Sequence, residues 1–268
     1  MNPNTISRGA LPSAAMFVMV MLFPAGLTAQ GLSLRHAAPP PAVGSLFSDS
    51  ARTAPHVIRW YEALAVAGAI STTFLADEPL QRYLQRHRSN TSDDVATFFR
   101  HMGQPEVYGT LSLGLIGGGL IVSRPDLTRA GGRLAASLAL SAAEFETIKR
   151  LTGRARPDSG LGGFHFDPLS HSESFPSGHA AVAFTLAASL ADDIHRPWAT
   201  VGLYTLATGT AYSRLNDDRH WLSDVALGAA LGITTAKLVD GHWQVFGIHP
   251  PHFLLDPAGP GLEASFTF

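Results

Sequence analysis

The chain has 268 residues, 46% of them hydrophobic and 15% charged, with a formal net charge of −2. That balance gives no bulk attraction to nucleic acid, and the length suits one domain with a real core. Cysteine is absent, which excludes disulfides, thiolate metal sites and cysteine nucleophiles.

Residues 1–29 read as a secretory signal peptide. Arg8 precedes an apolar run from Ala14 to Phe23, Pro24 and Gly26 break it, and Ala29 is a small residue suited to cleavage. Residues 30–54 form a Pro-rich linker, 55–247 the main domain and 248–268 an irregular tail. Within the domain, "APHVIRWYEALAVAGAISTTFLADEP" reads as a helix ending near Pro79. The next stretch is polar and amphipathic, with a break and cap at Ser89–Ser92. "EVYGTLSLGLIGGGLIVSRP" is apolar and stops at Pro125, and the following helix starts with Asp126 as N-cap and stops before Pro157. Three further apolar helices begin near Gly178, Trp198 and Trp221. Apolar residues recur at intervals of three and four, so the expected fold is all-α, a compact helical bundle of about six core helices.

Most apolar runs are shorter than the roughly 20 residues that a membrane span needs. Arg59, Glu62, Glu144 and Glu146 fall inside candidate spans, where charge is costly. A soluble or loosely membrane-associated bundle is favoured over an integral one. The terminal residues Leu262–Phe268 alternate weakly and read as a surface strand or packed tail.

Three segments carry chemistry. In "KRLTGRARP", Lys149 and Arg156 lie seven apart, on one face if the helix continues. In "SFPSGHAA", Ser177 can cap the next helix, Gly178 lets a ligand approach the backbone, and His179 stands where the free N–H groups of the helix start attract an anion. In "SRLNDDRHWLSD", Arg214 suits bidentate phosphate binding. His220 and Asp224 lie four apart on one helix face, so the carboxylate can fix the imidazole tautomer and leave the other nitrogen its lone pair. Arg150, Arg154 and Arg219 read as solvated surface residues, and His165 and His171 belong to a loop that can rim the pocket. His242, His249 and His252 have no partner in the pattern, and no ligand spacing calls for zinc.

Lys149 and Arg156-Pro157, then Pro176-Ser177-Gly178-His179, then Ser213-Arg214, His220 and Asp224, match in order and spacing a three-part signature. It resembles that of the type 2 phosphatidic acid phosphatase (PAP2) superfamily, which also includes bacterial acid phosphatases and vanadium haloperoxidases. The resemblance implies a PAP2/haloperoxidase-like bundle and a metal-independent phosphatase without cofactor. It implies His220 as the nucleophile that forms a phosphohistidine, Asp224 as its orienting partner and His179 as the general acid. Lys149, Arg156 and Arg214, with the N–H groups near Ser177 and Gly178, would clamp the phosphoryl oxygens, and such fixed charges stabilise the transition state without reorganising. The loop "SESFPSGHAA" resembles the lipid-phosphatase branch. The substrate expected is therefore a phosphorylated lipid or small molecule, with membrane association and an exported, periplasmic or envelope location. The alternatives are a periplasmic acid phosphatase of broad specificity, a vanadate-dependent haloperoxidase and a non-catalytic phosphate-binding protein.

Overall fold

A computed structural model describes residues 55–170 and 172–245. The expected signal peptide, linker and tail, together with His171, His249 and His252, lie outside the described residues.

A short strand β1 (His56–Ile58) leads into helix α1 (Trp60–Thr73), a 3₁₀ turn at Phe74–Ala76, α2 (Asp77–Arg86) and α3 (Asn90–Met102). Then come α4 (Pro105–Ile121), α5 (Pro125–Thr152), α6 (Gly178–Ile194), α7 (Pro197–Asn216) and α8 (Leu222–Val239). Strand β2 (Trp243–Val245) pairs in parallel with β1, in the register His56 to Trp243.

Prolines start helices here, Pro125 among them, which read as a helix stop. Pro105, Pro125 and Pro197 each open one, where the missing N–H costs nothing and the fixed φ is already helical. Arg124, not Asp126, is therefore the N-cap of α5. The first helix also ends earlier than Pro79 suggests: the chain tightens into the 3₁₀ turn after Thr73, and Pro79 sits in the first turn of α2. Ser89 caps α3 in reciprocal hydrogen bonds with Ser92, as expected.

Helix α6 is the centre of the bundle. Nearly all its residues are buried, Ala the commonest among them, and it packs against α5, α7 and α8. Small side chains permit this closeness: a Cβ on Gly232 would lie 2.2 Å from the Ala181 carbonyl oxygen, and one on Gly228 2.5 Å from that of Ser177. Successive helices α4 to α8 run up and down with short far-end turns at Val122–Arg124 and His195–Arg196. The C-termini of α5 and α7 and the N-termini of α6 and α8 therefore share one end of the bundle.

Helices α1 and α4 are apolar but only lightly covered. Trp60, Leu64 and Val66 on α1, and Leu113, Leu120 and Ile121 on α4, are exposed. Among the described residues, Leu222–Val239 alone is long and apolar enough to cross a membrane, and half of it is buried inside the protein.

Candidate active site

Each of the three segments reaches the shared end by a different local device. Lys149 lies in the last turn of α5, buried, with its ammonium 5.1 Å from the Phe145 ring and 3.2 Å from Glu146 Oε1. Arg156 is not on the same helix face, because α5 ends at Thr152 and Gly153 turns left-handed with φ 54°. Only glycine fits there, since a Cβ would fall 1.7 Å from the Asp167 carbonyl oxygen. Arg156 then stands half-buried ahead of the 3₁₀ turn Pro157–Ser159.

Ser177 is the N-cap of α6, and its side chain accepts from the Ala180 N–H at 3.5 Å. Gly178 has a packing reason the sequence did not reveal: its missing Cβ would lie 2.9 Å from the Phe145 ring. His179 follows in the first turn, where helical N–H groups lack intrahelical partners. Arg214, in the last turn of α7, is buried, with Nη1 3.7 Å from Asp217 Oδ2 and no hydrogen-bond partner for Nε among the described residues.

His220 precedes α8 rather than lying on it, so its proximity to Asp224 comes from a cap and not from helical spacing. Asp224 Oδ2 accepts from the Trp221 N–H at 2.8 Å, and the same oxygen lies 3.4 Å from His220 Nδ1. The nearer acceptor for Nδ1 is the Ser174 carbonyl at 2.8 Å. Main chain and carboxylate together hold the ring with Nδ1–H inward and Nε2 as the lone-pair nitrogen.

Burial lowers the pKa of His220, partly offset by the hydrogen bond and charge of Asp224. His179 is lowered as well, to about 4: burial acts first, then the charges of Arg214, His220, Lys149 and Arg156. The four other predicted basic side chains thus all act on His179. Burial and the neighbouring cations both disfavour the protonated imidazole there.

Arg154 corrects the sequence reading. It is not solvated but fully buried, and its guanidinium bridges two carboxylates: Nη1 to Asp224 Oδ1 at 2.6 Å and Nη2 to Asp77 Oδ2 at 2.7 Å. Arg150 is exposed and Arg219 pairs with Asp158 at 3.0 Å on the surface, as expected. His165 is exposed, and His242 finds Asp192 at 3.4 Å, a partner not visible in the pattern. Among the described residues, no group of three or more His, Asp or Glu is placed to hold a metal ion.

Residues 130–243 match the family model of the PAP2 superfamily and enclose all three segments. That region is similar to the PAP2 superfamily. Over 111 residues the chain is 38% identical to a lipid A 1-phosphatase of Porphyromonas gingivalis, covering 41% of this chain and 22% of that protein. Over 118 residues it is 31% identical to YbjG of Escherichia coli, provisionally named an undecaprenyl-diphosphatase, covering 43% of this chain and 58% of that one. The chain thus spans about a fifth and rather over half of these two relatives. The crystal structure of a transmembrane PAP2-type phosphatidylglycerolphosphate phosphatase from Bacillus subtilis superposes with a TM-score of 0.54 at 24% identity, over 68% of this chain and 95% of that one. The helical PAP2 fold is therefore shared.

Four polar residues around the candidate site escaped the sequence: Ser174, Arg154, Ser223 and Asp77. Ser174 Oγ donates to Asp224 Oδ2 at 2.6 Å, and Ser223 Oγ donates to Asp77 Oδ2 at 2.6 Å. Arg154 had a signal, being two residues before Arg156 in "GRARP". Asp77 had none, because it lies outside the motifs and reaches Ser223 only through the fold.

Proposed function

We propose that this protein hydrolyses a phosphomonoester or diphosphate of a lipid through a phosphohistidine on His220. The observation that carries the reading is the gathering of Lys149, Arg156 and Arg214 around His179 and His220, whose charges add to burial in lowering His179 to about 4. A cationic pocket at a helix N-terminus, with a buried Arg214 Nε–H to spare, suits a tetrahedral oxyanion.

In this mechanism His220 Nε2 attacks phosphorus while the bond to the leaving oxygen breaks, and protonated His179 gives its proton to that oxygen. Bound phosphate supplies the negative charge that lets His179 hold the proton. In the second step neutral His179 takes a proton from water, the resulting hydroxide equivalent attacks phosphorus, and the N–P bond breaks to release phosphate and His220. The Ser174 carbonyl and Asp224 hold the imidazolium that forms in between. Lys149, Arg156 and Arg214 stabilise the charge on the non-bridging oxygens throughout.

The lipid part of the reading rests on the names of the relatives and on the exposed apolar faces of α1 and α4, which suit association with a membrane. Two of the four charges that seemed to oppose this have local partners. Glu62 caps the first turn of α1, and Glu144 is a hydrogen-bond acceptor of Thr235 at 2.6 Å, directed into the bundle. Phosphate release measured across lipid A, polyprenyl diphosphate, phosphatidate and soluble esters tests the substrate class. Turnover confined to soluble esters would overturn the lipid reading. A folded His220→Ala protein with near-native rates would overturn the chemistry.

A further inference from the structure

Behind His220 lies a buried layer of charge that the phosphoryl chemistry does not itself use. Arg154 has no exposed surface, and its guanidinium is packed among Phe74, Phe166, Phe175 and Trp221, whose ring centroids lie 4.6–5.7 Å away. Its donors are fully committed: Nη1 to Asp224 Oδ1 and Ser223 Oγ, both at 2.6 Å, Nη2 to Asp77 Oδ2 and Gly163 O, and Nε to Gly163 O at 2.9 Å. Asp77 closes the ring from α2 by accepting from the Ser223 N–H at 2.8 Å and the Ser223 hydroxyl at 2.6 Å. A guanidinium buried this completely is costly unless every donor is met, and removing one partner leaves a buried charge exposed to the others.

We infer that Arg154 and Asp77 are positioning residues for the nucleophile: Arg154 occupies Asp224 Oδ1 so that Oδ2 alone faces His220, and Asp77 fixes the plane of that guanidinium. The inference rests on the reading of His220 as nucleophile. The geometry gives each oxygen of Asp224 a separate task. Oδ1 is tied to Arg154, while Oδ2 collects Trp221 N–H, Ser174 Oγ–H and the His220 ring. Ser174 links the two halves, since its hydroxyl binds Asp224 and its carbonyl binds His220 Nδ1.

The clamp also sets the charge that His220 feels. With both carboxylates ionised, Arg154, Asp77 and Asp224 together carry one net negative charge, which the imidazolium formed on phosphoryl attack neutralises. The other charged groups acting at His220 and its neighbour His179 are Lys149 from α5, Arg156 from the following loop and Arg214 from α7, and none of them touches the clamp. Removing Asp77 should therefore make the His220 surroundings less negative, and removing Arg154 should make them more so.

The test uses the full chain with Asp77→Asn, Arg154→Lys and Arg154→Gln, and His220→Ala as control. The imidazole ¹⁵N signals of His220, identified by their loss in His220→Ala, report its tautomer and titration midpoint without any need for turnover. Asp77→Asn should move that midpoint to lower pH and Arg154→Gln to higher pH, while Arg154→Lys, which keeps the charge, should move it less than Gln. With p-nitrophenyl phosphate, all three should lower kcat by about tenfold or more, as loss of outer partners does at other oriented histidines, and leave KM within about threefold. Midpoints that stay put, or move in the same direction in folded Asp77→Asn and Arg154→Gln, would overturn the clamp. Should Arg154→Gln fail to fold, an unmoved midpoint and unchanged kcat in Asp77→Asn would overturn it alone. An active His220→Ala protein would instead sink the nucleophile reading and leave the measured midpoints standing.

Discussion

An oxyanion that fills the site should pull a proton onto His179, and the size of that effect follows from the site's electrostatics. Burial and the charges of Arg214, His220, Lys149 and Arg156 hold His179 at about 4, against an ordinary value of 6.5. A bound dianion offsets those cations and restores the imidazolium. Restoring the ordinary value alone corresponds to about 3 kcal/mol of coupling between proton and anion, or about 300-fold in affinity. Sulfate is the suitable probe because it stays a dianion over the whole interval. Its affinity, measured by isothermal titration calorimetry, should fall about tenfold per pH unit as pH rises from about 4 to about 6.5, with about one proton taken up per sulfate within that window. His179→Asn should bind sulfate with an affinity that varies little over the same interval. Flat sulfate affinity in the wild-type protein, or an undiminished slope in His179→Asn, would refute the coupling and remove His179 as the proton donor.

The same group makes stability pH-dependent: its folded pKa lies below the unfolded one, so thermal-melt stability should be lost as pH falls from about 6.5 towards 4, by up to about 3 kcal/mol from His179, and sulfate should restore part of it. Asp224→Asn should lower kcat by less than the about 10⁴ seen where a carboxylate is the sole orienter, because the Ser174 carbonyl still holds Nδ1–H; steady-state kinetics with folding checked by circular dichroism would show it. His179→Asn should cost at least about tenfold more on an alkyl phosphate than on nitrophenyl phosphate, whose leaving group needs little acid help, and equal losses would reassign His179 to charge stabilisation. Gly232→Leu should destabilise the bundle by about 1–3 kcal/mol in denaturant unfolding, since its Cβ would meet the Ala181 carbonyl oxygen at 2.2 Å, and an unchanged midpoint would contradict the close α6–α8 contact.

Helix type and number, most of the breaks and the eight candidate site residues were legible in the chain, because they depend on local pattern. Apolar spacing, caps such as Ser89 and Ser177, and prolines act over a few residues. The candidate site residues could be found together because the motif residues crowd the ends of four successive core helices and the loops beside them. An up-and-down bundle brings those ends together with little freedom left. Local pattern failed where one residue changed the path. Gly153 ends α5 before Arg156, and the chain enters α8 only after His220, so neither spacing is helical in the way it read.

What the sequence by itself determined is the helical class, the order of the elements and the set of basic and imidazole groups available for phosphoryl chemistry. What only the tertiary structure decided is the state of each charge. Arg154, Arg150 and Arg219 look alike as residues beside a motif, yet Arg150 is exposed, Arg219 pairs at the surface and Arg154 is sealed between Asp77 and Asp224. Asp77 lies 147 residues before Asp224 in the chain and meets the same guanidinium. Burial and pairing are properties of the assembled volume, set by which distant helix covers a side chain, and no window of neighbouring residues contains that information.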